Sequence, residues 1–216
     1  MTKYNSSEQR TLNPDTNCDR APRSTWCAAY PRVCEGLGVT TWIVLLRGVN
    51  VGGKNRLAMA DLRDLVTTLG HTGVSTYIQS GNIVLTSSRA DRSKIADEIC
   101  AGVESSFGHK VSAVLRTPRE LRDALAGNPF AAGYDRTRVY ITFLSDAPST
   151  KDLASLEPDR FLPDKFEVIG SELYGYYENG AGRSKMTLDY FEKRLHVRGT
   201  ARNLNTVAKL IELAGG

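Results

Sequence analysis

The stretch RGVNVGGKNR, residues 47–56, has nearly the glycine and lysine spacing of a loop that holds phosphate groups. Gly48, Gly53 and Lys54 supply what such a loop needs first, which is free backbone amides and a lysine that reaches the outer phosphates. Position 55 is Asn55, where the loop needs the magnesium-binding hydroxyl of serine or threonine. We therefore expect no nucleoside triphosphatase here, although this chemistry still suits an anion.

The pattern around the loop favours an antiparallel sheet rather than the parallel sheet of phosphate-loop enzymes. Helical periodicity begins only at Met59, too late for a helix N-terminus to lie under Lys54. Two strand-like runs, STYIQS and NIVLTS, follow with only Gly81 between them. Such a hairpin pairs antiparallel strands, whereas parallel strands need a longer crossover connection.

The same order of elements occurs twice after residue 40, as strand, helix, hairpin, helix and strand. The first set begins with TTWIVLLR and ends with KVSAVLRT, after which Pro118 opens a short helix. The second begins with RVYITFLS, contains a helix over SKMTLDYFEKRL and ends with a strand over VRGTA. Asn203 then caps a last helix. We predict an α+β fold of two tandem ferredoxin-like (βαββα-type) subdomains with antiparallel sheets and an added C-terminal helix.

Composition is that of an ordinary folded protein. Of 216 residues, 41% are hydrophobic and 24% are charged, with a net charge of +4. Residues 1–39 contain prolines and no sustained periodicity, which predicts a flexible N-terminal extension. We assign residues 40–130 to the first subdomain and residues 131–216 to the second, including the C-terminal helix.

Several classes of protein do not fit this sequence. There is no apolar run of membrane-spanning length and no secretory signal pattern, so we predict a cytoplasmic protein without a membrane partner. The four cysteines and three histidines lack the spacing of a metal site. We predict no metal and no cofactor, and the sequence leaves the oligomeric state open.

The predicted topology brings two polar stretches to one edge of the first sheet. In a β-α-β-β unit the loop after the first strand lies beside the turn of the hairpin, because the third strand pairs with the first. The convergence would form a cationic pocket for a phosphate or a carboxylate. The residues concerned are Arg47, Asn50, Gly53, Lys54, Gln79, Ser80 and Asn82. In the alternative interpretation, these asparagines and glycines only shape a long turn and the cations are solvated.

The C-terminal segment, residues 183–209, is basic, with seven lysines and arginines against two acidic residues. Basic residues interleaved with Tyr190 and Phe191 are typical of a surface that binds nucleic acid. The alternative is a helix that buries Phe191 and leaves its lysines in water. Arg202 and Asn203 stand at a helix start, where they either cap the helix or hold an anion.

The stretches quoted above resemble a family of bacterial proteins, the domain of unknown function 1697 family. The resemblance is strongest from LLRGVNVGGKNRLAMADLRDLV to STYIQSGNIVL, and it extends through SKMTLDYFEKRL to TARNLNTVAKLIELA. It implies an α+β fold with two subdomains and no established activity, and its first signature falls on the residues of the predicted pocket. Leu204 and Leu188 depart from it, because the family typically has tryptophan and asparagine there.

The function that this sequence favours is the binding of a small phosphate- or carboxylate-bearing ligand, such as a nucleotide. Two alternatives stay open. One is nucleic-acid binding by the basic C-terminal segment. The other is an enzyme on a small phosphorylated substrate, in which Lys54 and Gln79 stabilise developing charge. The sequence does not decide whether the protein is an enzyme.

Overall fold

Two four-stranded antiparallel sheets form the framework of the protein in its computed structural model, which describes residues 38–52 and 55–215. The strands are β1 (Thr40–Arg47), β2 (Thr72–Tyr77), β3 (Asn82–Ser87), β4 (Ser112–Arg116), β5 (Val139–Leu144), β6 (Lys165–Ile169), β7 (Glu172–Tyr176) and β8 (Gly199–Asn203). The described helices are α1 (Met59–Thr68), α2 (Arg92–Phe107), α3 (Pro118–Ala126), α4 (Thr150–Leu153), α5 (Leu188–Leu195) and α6 (Leu204–Leu213).

The two sheets repeat one arrangement. The first has the strand order β2-β3-β1-β4 and the second has the order β6-β7-β5-β8, and every neighbouring pair is antiparallel. The predicted order of strands and helices is therefore confirmed, together with the α+β class and the antiparallel sheets. The pairing of the third strand with the first, on which the predicted pocket depends, is also observed.

Strand β1 is apolar from Trp42 to Leu46 because both of its faces are buried there. Ile43 and Leu45 point into a central core that lies between the two sheets. Trp42, Val44 and Leu46 point to the other face, where they pack with residues of α1 and α2. Alternation along a strand sends successive side chains to opposite faces, so a strand covered on both sides reads as a continuous apolar run.

The central core joins the two halves of the chain. Ile141 and Phe143 of β5 enter it from the second sheet, while Tyr140 and Leu144 turn outward to a third cluster near α5. Helices α3 and α6 add Leu121 and apolar residues of the last helix to the same central core. Residues Leu37–Gly216 form one compact unit. The division into subdomains at residue 130 stays a prediction.

Three predicted boundaries were wrong by a few residues. The strand predicted over STYIQS is β2, which begins at Thr72, has an irregular register before Ser75 and ends at Tyr77. The hairpin turn therefore spans residues 78–81 rather than Gly81 alone. The final strand begins at Gly199, two positions after the start of VRGTA. Helix α5 begins only at Leu188, because the side chain of Thr187 caps it.

The predicted helix signals act as expected at two places. Pro118 is the first residue of α3, and Thr117 and Glu120 form a reciprocal capping box around it. The side chain of Asn203 accepts a hydrogen bond from the amide of Thr206 and so caps α6. Within the described ranges, no helix combines the length and the hydrophobicity needed to cross a bilayer.

Gly81 is required by the close approach of the hairpin turn to β1. Its φ is +70°, and an added Cβ would lie 2.7 Å from the Cβ of Leu46. We expect Gly81→Ala to lower the free energy of unfolding by about 3 kcal/mol, through strain at positive φ and through overpacking. Urea denaturation measures the loss.

The matched control for this substitution is Gly108→Ala. Gly108 has the same φ of +70°, but a Cβ there meets no described atom within 4 Å. It should lose only about 1 kcal/mol, the cost of the left-handed conformation itself. Equal losses at the two glycines would show that the contact with Leu46 contributes nothing.

His71 is a buried histidine without a hydrogen-bond partner among the described residues. Its side chain is 1% exposed, and its Nε2 lies 3.7 Å from a carboxylate oxygen of Glu98, which also pairs with Arg89. Burial lowers the pKa of His71 below the ordinary value of 6.5, although the charge of Glu98 opposes that shift. The folded protein therefore holds this imidazole in its neutral form at neutral pH.

We expect acid to weaken the fold through His71. Below pH 6.5 the unfolded chain takes up a proton that the folded chain does not, so the free energy of unfolding falls with falling pH. Above that pH this contribution is constant. Urea midpoints measured between pH 7 and pH 5 should fall less steeply in His71→Leu than in the unchanged protein. Equal slopes in the two proteins would contradict this role of His71.

Candidate functional site

The loop between β1 and α1, residues 48–58, is braced by two of its own asparagines. Asn50 accepts a hydrogen bond from the amide of Leu57 at 2.9 Å and donates to the carbonyl of Leu57, also at 2.9 Å. Asn55 donates to the carbonyl of Gly48 at 3.0 Å. Both asparagines have positive φ, 56° at Asn50 and 48° at Asn55. The strained backbone is thus held by side-chain hydrogen bonds from within the loop.

The structure brings this loop against the turn of the first hairpin. The Nδ2 of Asn50 donates to the carbonyl of Gln79 at 2.8 Å, and the amide of Leu46 donates to the carbonyl of Gly81 at 2.8 Å. The two polar stretches that the topology placed at one edge therefore touch. Two residues of the predicted pocket, Gly53 and Lys54, lie outside the described residues.

Arg47 is held by acidic side chains of α5 in the second half of the chain. It forms ion pairs with Asp189 at 3.0 Å and with Glu192 at 2.8 Å, and the Glu192 side chain is only 7% exposed. These acids lie more than 140 positions away in sequence. The charge of Arg47 is therefore compensated within the protein, and other cations have to attract an anion to this edge.

Arg202 lies buried between the two sheets, with 8% of its surface exposed. All five of its N–H donors have acceptors within the described chain. Its Nε donates to Asn82 Oδ1 at 2.5 Å, its Nη1 to Thr200 Oγ1 at 2.6 Å and Ala201 O at 2.8 Å, and its Nη2 to Leu46 O at 2.7 Å and Ser80 O at 3.1 Å. No donor remains for a ligand, so this side chain joins β8 to β1 and to the first hairpin.

No carboxylate in the described chain pairs with Arg202. Burial lowers the pKa of its guanidinium to about 10, which still leaves the group charged at neutral pH. The cation beneath the turn at residues 78–81 is stabilised by carbonyl, amide and hydroxyl oxygens alone. Its field therefore reaches the surface of that turn without being cancelled by a neighbouring acid.

The other predicted pocket residues divide between internal contacts and free surface. Asn82 donates to the carbonyl of Tyr77 at 3.1 Å and to the hydroxyl of Ser80 at 2.9 Å. Asn203 caps α6 through the amide of Thr206 at 2.8 Å. Gln79, in contrast, is exposed, and its side chain forms no hydrogen bond within the described chain. Of the predicted residues that the structure describes, Gln79 is the one most available to a ligand.

A depression of about 480 Å³ opens beside Gln79, and we call it the loop depression. Its lining consists of Asn50, Arg56, Leu57, Ala58 and Gln79. Arg56 is exposed and forms no ion pair with an acid of the described chain. The described part of the lining contains no acidic side chain, although Asp61 stands in the first turn of the adjoining helix α1.

Ala58 stands at the N-cap of α1 and leaves the start of this helix without a side-chain cap. The first amides of a helix have no partner within the helix, and its dipole favours an anion near them. The pocket predicted from the sequence contained neither Arg56 nor Ala58. The available signal was an alanine immediately before the helical periodicity, where serine, threonine or aspartate is usual.

The aromatic residues of the basic C-terminal segment are used inside the protein. Phe191 is 1% exposed and packs in the cluster between the second sheet and α5. The hydroxyl of Tyr190 is buried, and its ring contacts Phe161 and Phe191 at centroid distances of 4.8 Å and 5.3 Å. Neither ring presents a free face on which a base could stack. At the two positions where the sequence departs from the family pattern, Leu188 is half-buried and Leu204 is buried.

Replacing Arg202 tests its role as a joint between the sheets. Arg202→Met keeps much of the length but leaves the buried oxygens of β1 and the hairpin without donors. We expect a loss of about 3 kcal/mol in the free energy of unfolding, measured by urea denaturation. Arg198→Met, at a side chain that is 72% exposed, serves as the control and should change stability by less than about 0.5 kcal/mol. A loss below 1 kcal/mol for Arg202→Met would contradict the role of a joint.

Comparison with known proteins agrees with this architecture. No curated protein matches the chain. Among solved structures, it is similar to the conserved bacterial protein SP0830 from Streptococcus pneumoniae, with a TM-score of 0.63 and 24% sequence identity over 82% of this chain and 99% of that chain. At this identity the likeness concerns the fold. The family model described as "Protein of unknown function (DUF1697)" matches residues 39–174. The match spans more than half of the chain and confirms the resemblance noted in the sequence, so this protein belongs to the DUF1697 family.

Proposed function

We propose that this protein binds a small phosphate- or carboxylate-bearing molecule in the loop depression. The observation that carries the proposal is the convergence of Arg56 and Gln79 with the uncapped N-terminus of α1, in a lining whose described residues include no acid. Unsatisfied helix amides, a guanidinium and a side-chain amide are donors suited to an anionic group.

The charges around the loop depression support an anion rather than a neutral ligand. Arg56 has no ion-pair partner in the described chain, and the buried Arg202 lies beneath the adjoining turn without a carboxylate beside it. The dipole of α1 adds partial positive charge at Ala58, which Asp61 in the first turn of the helix partly offsets. Arg47 contributes little to this field, because Asp189 and Glu192 neutralise it.

The shape of the loop depression favours a ligand that binds by one charged end. Its volume of about 480 Å³ lies within the range of small-molecule sites, and only Leu57 and Ala58 are apolar in the lining. Such a site can hold a phosphate or a carboxylate and leave the rest of the molecule in water. A mononucleotide fits this description.

The strained loop is consistent with a binding site. Positive φ at Asn50 and Asn55 costs free energy that the braces described above must offset. In return, the loop is held in a fixed shape before a ligand arrives. A site organised in advance loses less entropy on binding.

The finer description of the fold is also a proposal. We infer that the two halves are tandem ferredoxin-like subdomains, supported by their common strand order and by the packing of α1 and α2 on one face of the first sheet.

A role in nucleic-acid binding or in catalysis on a phosphorylated substrate stays an alternative. The inward packing of Tyr190 and Phe191 does not favour nucleic-acid binding. Catalysis on a phosphorylated substrate requires the same anion site.

Removal of the loop cations tests the proposal. We expect pyrophosphate or AMP at ten times its Kd to raise the melting temperature by about 3–6 °C in scanning calorimetry. Arg56→Gln should abolish most of this rise, because it removes the unpaired cation. Lys54→Ala is tested in parallel, since the sequence places Lys54 two positions before Arg56. The control Arg119→Gln removes an exposed arginine paired with Asp123 and should keep the full response.

Ala58→Asp distinguishes a true site from general attraction of anions to a basic protein. The backbone at Ala58, with φ −71° and ψ 135°, suits an N-cap residue, so aspartate there should cap α1. The unliganded protein should gain about 1 kcal/mol, while the response to pyrophosphate should disappear because the carboxylate occupies the same amides. An unchanged response in Ala58→Asp, or no response to either anion in the unchanged protein, would contradict the proposal.

A further inference from the structure

A second cleft lies between α3 and the start of α6, away from the loop depression, and we call it the α3–α6 cleft. Its volume is about 400 Å³. Leu125, Ala126, Ala131 and Leu204 supply its apolar lining, and Arg122, Asn128 and Arg136 supply its polar groups. It shares no residue with the loop depression, so an inference about it does not depend on the proposed function.

The geometry of α3 explains why this cleft has both apolar and cationic walls. Arg122, Leu125 and Ala126 are separated by three and four positions, which places them on one face of the helix. That face looks toward Leu204, the first residue of α6. Leu204 is buried beneath the cleft, with 3% of its surface exposed, and so forms an apolar floor.

The two arginines have no acid to pair with in the described chain. Arg122 and Arg136 are both exposed, and neither forms an ion pair or a side-chain hydrogen bond with a described residue. Their neighbours on the same elements behave differently, since Arg119 pairs with Asp123 and Arg138 pairs with Asp135. The cations that line the cleft are therefore the ones left without partners.

Asn128 adds a donor at the cleft that forms no hydrogen bond within the described chain. Its residue surface is 6% exposed, and its Oδ1 accepts a hydrogen bond from the amide of Phe130 at 2.9 Å. That bond assigns the other terminal atom as the amide nitrogen, which donates to no group of the described chain. This nitrogen is not among the buried polar atoms that lack a partner, so it reaches solvent at the cleft and can donate to a ligand oxygen there.

We propose that the α3–α6 cleft binds a small organic acid with an apolar body, of the class of medium-chain carboxylic acids. A carboxylate accepts from two planar guanidiniums and from the amide of Asn128, while the chain covers Leu204 and the alanines. A neutral lipid would leave the arginines unused. A compact inorganic anion would leave the apolar wall in water, so neither fits the lining as well.

Octanoate is a suitable probe, and isothermal titration calorimetry on the full chain is the measurement. We expect octanoate to bind, and Arg122→Gln and Arg136→Gln each to raise its Kd about tenfold through the loss of one charged contact. The control Arg119→Gln on the same helix should leave the Kd within about twofold. Octan-1-ol, which has the same chain without the charge, should bind at least about tenfold more weakly than octanoate.

A substitution that fills the cleft separates this site from binding elsewhere. Ala126→Leu adds bulk at the last residue of α3, a position where leucine suits a helix, and it should abolish octanoate binding. Ala101→Leu, at an exposed alanine of α2, should bind octanoate normally. The proposal fails if octanoate does not bind, if octan-1-ol binds equally well, or if Ala126→Leu binds like Ala101→Leu. Retained binding in Arg56→Gln would further show that the two sites are separate.

Discussion

The architecture depends on two buried arginines, each of which lies in one sheet and donates hydrogen bonds to the other half of the chain. Arg202 at the end of β8 donates to Leu46 of β1 and to the turn of the first hairpin. Arg116 at the end of β4 donates to the carbonyl of Leu144 at 2.7 Å and to Ser171 in the turn of the second hairpin. In each half, the last strand thus holds the first strand and the hairpin of the other half. Packing two sheets face to face buries strand-end carbonyls, and a guanidinium with five donors can satisfy several at once.

The two joints differ in charge, and the difference gives the two hairpins different electrostatics. Arg116 pairs with Glu172 at 3.2 Å, so its charge is compensated at the second hairpin. The corresponding partner of Arg202 is Asn82, an amide that accepts a hydrogen bond without adding a negative charge. One hairpin therefore covers a neutral pair, and the other covers a lone cation. The proposed anion site lies beside the first hairpin, whose buried arginine has no acidic partner in the described chain, so the field there is positive.

Internal hydrogen bonds also decide which predicted pocket residues remain available to a ligand. Three of the predicted pocket residues hydrogen-bond to the backbone that gives the loop and the hairpin their shape, namely Asn50, Asn82 and Arg202. Asn50 and Asn82 thus shape the turn, as the alternative interpretation of the sequence states, while Arg56 and Gln79 face solvent at the loop depression. The proposed site lies beside a loop whose own hydrogen bonds fix its shape, so the geometry is set before a ligand binds.

The sequence by itself determined the order of the elements, the antiparallel hairpins and the convergence of the β1–α1 loop with residues 78–82, because hydrophobic period, turn residues and caps are local signals. It also carried the family resemblance. Only the tertiary structure decided which charges remain free. Arg47 looked unopposed because its partners Asp189 and Glu192 lie in the other half. Arg202 looked like a ligand residue because three of its acceptors, Leu46 O, Ser80 O and Asn82 Oδ1, lie in the first half of the chain. Charge compensation and hydrogen-bond saturation depend on distances in space, which sheet-on-sheet packing sets and which no local pattern contains.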